Sequence, residues 1–110
     1  MIDGVTKVLP NRDMKYLGFR NNVEGQWNWC RSLDLQGSVT LNITIDRKTG
    51  NYEELVMNEA FGQPEYYGQM KPEWRDFYRD AVDLYLRQLK LGGLDIKVNH
   101  EAYGYKGENK

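Results

Sequence analysis

Residues 38–45 alternate strictly between apolar and polar side chains, and this pattern constrains the fold more than any other in the chain. A strand with one apolar and one polar face is typical of an antiparallel sheet that is buried on one side only. The next residues predict a hairpin turn, because Asp46 can open it and Gly50 can take positive φ. The apolar residues of this strand are Val39, Leu41, Ile43 and Ile45, with Thr40, Asn42 and Thr44 between them.

Residues 72–91 carry the second strong pattern, that of an amphipathic helix. Pro72 fits the first turn, where its missing N–H has no partner to lose, and Gly92-Gly93 supplies the C-cap. At about 100° per residue, the apolar side chains cover a face roughly 160° wide. We expect this face to pack on the sheet, with its aromatic residues in the core. These aromatic residues are Trp74, Phe77, Tyr78 and Tyr85.

Weaker strand patterns complete the predicted fold. The whole chain then reads β-β-β-β-α-β, which predicts an α+β domain of two layers. In it, one long helix packs across one face of an antiparallel sheet of four to five strands. The length of 110 residues predicts a single domain over 1–110. We expect residues 1–12 and 106–110 to be loosely ordered. The weaker strand segments are residues 14–20, 26–33, 52–57 and 94–98.

Charge and composition exclude several classes of protein. The chain has 15 Lys and Arg against 16 Asp and Glu, a formal net charge of −1, which argues against a basic nucleic-acid surface. No apolar run is long enough to span a membrane, and the N-terminal residues lack the features of a secretion signal. Because the chain has one Cys, it has no internal disulfide. We therefore expect a reducing, cytoplasmic location.

Residues suited to catalysis or metal binding are few. Cys30 and His100 are the single thiol and the single imidazole, so the sequence predicts no metal site and no cofactor. An enzyme built on this chain would use His100 as a base, with Glu101, Asp34 or a loop tyrosine as its partner. The acids and arginines that alternate along the helix are typical of a solvated surface. The prediction is a protein that is not an enzyme.

An irregular segment, residues 59–71, is the first candidate for a contact surface. It is as long as the longest structureless loops that compact domains usually contain, and such loops are often functional. Its aromatic residues are Phe61, Tyr66 and Tyr67. Tyrosine and phenylalanine at a loop tip either pack over the sheet edge or contact a partner.

Trp27 and Trp29 are the second candidate, because they share one face of the predicted strand 26–33. If that face looks at the helix, both are core residues. If it looks away, two exposed tryptophans mark a binding surface. Leu33 shares their face, which favours the core.

These observations predict a small non-catalytic protein-interaction module, of the inhibitor, immunity or modulator type. Its contact surface would be the loop 59–71, extended by Trp27 and Trp29 where they are exposed. The alternative is a domain that binds a small ligand or single-stranded nucleic acid by stacking on the two tryptophans. Exposed strand edges would also allow two copies to pair as a homodimer.

Overall fold

The computed structural model describes residues 2–106, and in them the α+β class is confirmed. Five antiparallel strands form one sheet, in the order β1-β4-β3-β2, with β5 paired to the end of β4. The strands are β1 Gly4–Val5, β2 Gln26–Ser32, β3 Val39–Asp46, β4 Asn51–Asn58 and β5 Gln63–Pro64. The helices are α1 Asn11–Tyr16 and α2 Pro72–Leu91, and short 3₁₀ turns cover Tyr67–Gln69 and His100–Tyr103.

The buried face of the sheet comes from the alternation in β2, β3 and β4. Trp29 lies opposite Ile43, and Leu41 lies opposite Val56, so these side chains share one face. All four are buried. From α2, the Tyr85 ring packs edge-on against Trp29, with 5.5 Å between ring centroids. The two predicted layers therefore meet as expected, with the core between the sheet and α2.

The predicted strand at residues 14–20 is wrong, because α1 occupies the first half of it. Pro10 precedes the helix with φ −56°, and Asp13 lies in the first turn, where its charge suits the helix dipole. Leu17 and Phe19 have the spacing of one strand face, but Met14 and Leu17 are three residues apart, a spacing that places both on one face of a helix. Only Arg20 joins the sheet, through a bridge to Asn28.

The predicted strand at residues 94–98 is also wrong as a strand, although its burial pattern holds. Leu94 and Ile96 are buried, but the segment is extended chain with no strand partner. The Lys97 N–H donates to the Tyr52 hydroxyl at 3.1 Å. A strand here would need a free sheet edge, and the outer edge of β4 is already occupied.

The expectation that residues 1–12 are loosely ordered stays a prediction, and residues 3–6 of this segment are hydrogen-bonded to the sheet. The Asp3 N–H donates to the Tyr52 carbonyl at 2.8 Å, and the Asp3 carboxylate accepts from the Glu54 N–H at 2.8 Å. The Thr6 N–H donates to the Gly50 carbonyl at 2.9 Å. Gly50 has φ +78°, and a Cβ there would lie 2.0 Å from the Thr6 carbonyl oxygen, so this contact needs glycine. Apart from Lys106, the expected loose tail lies outside the described residues.

The outer edges of the two long strands β4 and β2 are largely covered. On β4, beyond the pairing with β1, the Val56 N–H donates to the Tyr103 hydroxyl at 3.0 Å. The Val56 carbonyl accepts from the Glu65 N–H at 2.9 Å. On β2, Arg20 and Asn28 exchange two backbone hydrogen bonds of 2.8 Å. These bonds leave little of either edge for pairing with a second copy.

Candidate functional site

Trp27 and Trp29 lie in the core, on the sheet face that α2 covers. Trp27 is almost completely buried, with the Arg47 guanidinium 4.8 Å from its ring centroid. The Trp29 indole N–H donates to the Leu17 carbonyl at 3.2 Å, so its one polar atom is satisfied. The face therefore looks at the helix, as Leu33 indicated. The two rings are not available as an exposed platform for bases or for a partner.

The loop 59–71 holds its three aromatic residues in different environments. Phe61, between β4 and β5, is 73% exposed, and Tyr66 is 49% exposed. Tyr67 begins a 3₁₀ turn and is completely buried. Phe61 and Tyr66 thus remain surface candidates, whereas Tyr67 is a core residue and cannot contact a partner directly.

The apolar face of α2 is only half covered by the sheet, which corrects the expectation that all its aromatic residues are core. Tyr78, Val82 and Leu89 are buried. Trp74 and Phe77 are 52% and 45% exposed. A face roughly 160° wide exceeds the apolar stripe of about 100° that one packing contact needs. The excess width was the sequence signal that part of the face would stay in solvent.

The half of this face that the sheet leaves largely exposed forms a line along the helix, here called the α2 stripe. Within this line Ala81 is partly buried and also packs against the core. At about 100° per residue its members fall within one sector roughly 100° wide. From Trp74 to Leu91 it runs for about 26 Å at 1.5 Å per residue. Its members are Trp74, Phe77, Ala81, Leu84, Gln88 and Leu91.

A buried tyrosine holds the exposed rings of the α2 stripe in place. Tyr78 packs edge-on against Phe77 at 5.2 Å and parallel to Trp74 at 6.4 Å, centroid to centroid. Its hydroxyl donates to the Asp34 carboxylate at 2.9 Å. Burial, together with that carboxylate, raises the pKa of Tyr78 to about 12. The phenol therefore stays protonated, and it fixes the N-terminal half of α2 to the β2–β3 turn.

Shallow depressions border the α2 stripe on the side of β2. One is lined by Leu35, which is fully exposed, together with Phe77 and Tyr85. A second, nearer the helix C-terminus, is lined by Tyr16 and Gln88. The exposed apolar side chains thus continue from the helix onto the β2–β3 turn and α1. An exposed apolar surface of this extent is typical of a protein contact.

A hydrogen-bonded relay joins α2 to both 3₁₀ turns. The His100 Nε2 lies 2.9 Å from an Asp83 carboxylate oxygen, and its Nδ1 bonds to the Tyr67 hydroxyl. In the neutral tautomer that carries its proton on Nε2, Nε2–H donates to the carboxylate and Nδ1 accepts from the phenol. Of the partners expected for His100, a loop tyrosine is present, while Glu101 and Asp34 are not. No sequence spacing indicated that Asp83 would take part.

The relay resembles an acid–base arrangement, with its phenol in the core and its imidazole and carboxylate partly exposed. Tyr67 has no exposed surface, and burial, followed by the charges of Glu54 and Asp83, raises its pKa above the ordinary value. It therefore remains a protonated donor in the core. Cys30, the thiol considered with His100, is exposed on the uncovered sheet face, opposite Asn42. The relay ties the two turns to α2.

The described residues contain no group of three or more His, Cys, Asp or Glu side chains placed to hold a metal ion. Within residues 2–106, no helix has both the length and the apolar character needed to cross a membrane.

Comparison with solved structures finds a DUF1831 family protein from Lactobacillus plantarum. The TM-score is 0.60, with 17% sequence identity over 82% of each chain. The two chains share a fold. At this identity the likeness carries no function from one to the other. No family model matches the sequence, and no curated protein matches it significantly.

A half-buried carboxylate, that of Glu54, lies beside the relay. Tyr103 stacks on Tyr67, with 5.4 Å between centroids, and donates its hydroxyl to a Glu54 carboxylate oxygen at 2.7 Å. Burial raises the pKa of Glu54 above its ordinary value of 4.5, and the charge of Asp3 adds to this, against the lowering effect of the Tyr103 bond. The folded protein therefore holds the Glu54 proton more tightly than the unfolded chain does.

We expect Glu54→Gln to flatten the pH dependence of stability above about pH 4.5. In the wild type, this residue's contribution is most favourable below the unfolded pKa and is lost as the pH rises toward the folded pKa. Glutamine removes the charge but can still accept from Tyr103. Urea unfolding followed by circular dichroism from pH 4 to pH 8 measures the difference, with the exposed Glu24→Gln as control. If the free energy of unfolding changed with pH in the same way for the wild type and Glu54→Gln, a raised pKa of Glu54 would be contradicted.

Proposed function

We propose that this protein is a small non-catalytic protein-binding module whose contact surface is the α2 stripe together with Leu35. The observation that carries the proposal is that the sheet covers only half of the apolar face of α2. Trp74 and Phe77 therefore remain about half exposed, and both rings pack against the buried ring of Tyr78. Rigid aromatic rings lose little conformational entropy on binding and dominate the energetics of many interfaces.

The partner that fits this surface best is an amphipathic helix. The α2 stripe is about 26 Å long, which matches five turns of a second helix. The exposed side chains of Leu35 and Tyr16 lie beside the stripe on the β2 side and would limit the position of that helix. Apolar residues of the partner at i, i+3, i+4 and i+7 would meet the stripe.

Phe61 and Tyr66 form a second part of the proposed surface. Both side chains are exposed. Glu65, the residue before Tyr66, is close enough to Tyr78 on α2 for its charge to raise the pKa of that phenol. The loop therefore lies near the N-terminal half of the α2 stripe, where the exposed aromatic residues are concentrated. A partner longer than one helix could contact both.

Two features support a binding role without catalysis in a reducing compartment. The phenol of the His100 relay, Tyr67, is completely buried, so a reactant that reached the partly exposed imidazole could not contact the phenol. Cys30 is an exposed free thiol, which a cytoplasmic setting would keep reduced. The alternative of stacking by Trp27 and Trp29 loses its support, because both rings are buried.

The test compares wild-type protein with Phe77→Glu/Leu84→Glu in quantitative capture from the source cells. We expect the wild type to capture at least one protein whose contact with it is an apolar helix. The same protein should bind the double variant at least about tenfold more weakly. Val5→Glu is the control, because Val5 is an exposed apolar residue on β1, far from the β2–β3 turn. Equal capture by all three proteins would overturn the proposal.

A further inference from the structure

We infer that the helix bound by the α2 stripe is α2 of a second copy of this chain, packed antiparallel about a two-fold axis near Ala81. This inference rests on the proposed function and names its partner. The α2 stripe is self-complementary about this position in its apolar residues and its charges. The resulting dimer would be held by a pair of helices, with the two sheets on the outside.

The apolar residues are placed symmetrically about Ala81. Phe77 lies four residues before Ala81, and Leu84 lies three residues after it. In an antiparallel pair, Phe77 of one subunit would therefore face the leucine at position 84 of the other, and this contact would form twice. Ala81 is the smallest residue of the α2 stripe and lies at the crossing point, where it lets the two backbones approach closely. Trp74 and Gln88 are each seven residues from Ala81 and would also meet across the axis.

The pairing of Trp74 with Gln88 accounts for the one polar interruption of the α2 stripe. An indole N–H needs an acceptor when an interface buries it, and the amide oxygen of Gln88 supplies one. A stripe intended only for an apolar partner would gain nothing from glutamine at this position. In the antiparallel register, the two-fold axis forms this contact twice.

Charges along one border of the α2 stripe are complementary in the same register. Glu73 and Arg87 lie on the same flank of the helix, and both are exposed. Neither forms a salt bridge with another described residue. Residues on the same flank face each other in an antiparallel pair, so Glu73 would meet Arg87 of the partner subunit twice. Asp80 would face its own copy, but Arg79 holds its carboxylate at 3.0 Å and offsets the repulsion.

The covered strand edges favour this route to a dimer over the sheet-to-sheet pairing that the sequence suggested. Asp3, Tyr103 and Glu65 satisfy the outer backbone groups of β4, and Arg20 pairs with β2. The exposed apolar area is on α2 instead. A helix pair about 26 Å long lies at the small end of stable interfaces, so we expect a dissociation constant on the order of micromolar.

Analytical ultracentrifugation of the purified chain tests the dimer, over concentrations from about 1 µM to about 500 µM. We expect the mass to rise from that of one chain to twice that value. Phe77→Glu/Leu84→Glu should remain a monomer throughout, and Val5→Glu should behave as the wild type does. Circular dichroism of each variant shows that it is folded.

Charge reversal tests the antiparallel register. Glu73→Arg and Arg87→Glu should each weaken the dimer at least about tenfold, since each places two like-charged pairs in contact. The double variant Glu73→Arg/Arg87→Glu should recover the wild-type affinity, and a parallel pair would show no such recovery. Dimers that tolerate the single reversals would overturn the register.

The outcome of this test is separable from that of the proposed function. A wild-type chain that stays monomeric would overturn the second copy as partner, while stripe-dependent capture of another protein would leave the binding function standing. A dimer that Phe77→Glu/Leu84→Glu does not weaken would place the interface elsewhere and overturn the inference. If, in addition, capture were unaffected by the same variant, the proposed function would fail as well.

Discussion

Replacement of Trp27 by alanine is expected to lower the free energy of unfolding by about 3–5 kcal/mol. The indole is almost completely buried between β3 and the rest of the core, opposite Ile45. Its removal leaves a large cavity, because the flanking strand positions are fixed by ladder hydrogen bonds and cannot collapse into it. The Arg47 guanidinium, 4.8 Å from the ring centroid, would also lose its aromatic partner.

Urea unfolding monitored by far-ultraviolet circular dichroism measures this effect without using tryptophan as the probe. Trp74→Ala is the matched control, because it makes the same chemical change at a ring that is half exposed on α2. We expect the control to lose less than about 1 kcal/mol. A small loss at both positions would mean that Trp27 is accessible, and binding by stacking on Trp27 and Trp29 would regain its support.

The sheet could be predicted from the sequence where the apolar period matched a single geometry. Residues 39–45 alternate over seven positions, which only a strand with one buried face satisfies, and the structure confirms both the strand and the face. Residues 14–20 have too short a pattern for this. Leu17 and Phe19 fit one face of a strand, whereas Met14 and Leu17 fit one face of a helix, and the helix that begins after Pro10 includes Met14.

Strand pairing could not be predicted for residues 94–98, because it depends on contacts that are distant in sequence. The alternation of Leu94 and Ile96 correctly indicated burial. Whether an extended segment joins a sheet depends on a free edge, and here β1, Tyr103 and β5 occupy the edge of β4. Local periodicity contains no information about which edges remain open.

The candidate site was only partly predictable for the same physical reason. The apolar width of α2 was visible in the sequence, but which half faces the sheet depends on how the helix is rotated. The bond from Tyr78 to Asp34 is one of the contacts that fixes this rotation. The sequence leaves Phe61, Tyr66 and Tyr67 alike open between packing and partner contact. Phe61 and Tyr66 are exposed, whereas Tyr67 is buried and bonded to His100, thirty-three positions away.

Tyr67 and Tyr66 provide the second large prediction, since they are neighbours in sequence with opposite environments. We expect Tyr67→Ala to lower the free energy of unfolding by about 3–5 kcal/mol. The ring stacks on Tyr103 at 5.4 Å and has no exposed surface. The turn around it cannot close the cavity, because a Cβ on Gly68 would already lie 2.0 Å from the Tyr105 nitrogen.

Tyr67→Phe separates the hydroxyl from the ring. It keeps the packing but removes the hydroxyl bonded to His100 Nδ1, leaving a partly buried ring nitrogen without its partner, so we expect a loss of about 1–3 kcal/mol. Tyr66→Ala is the control and should change stability by less than about 0.5 kcal/mol, since that ring is half exposed. Urea unfolding of the three variants gives the comparison.

If Tyr66→Ala and Tyr67→Ala were equally mild, the relay would not be formed in solution. If only Tyr66→Ala reduced partner binding while the fold stayed intact, the exposed tyrosine would belong to the contact surface and its buried neighbour to the scaffold that positions it.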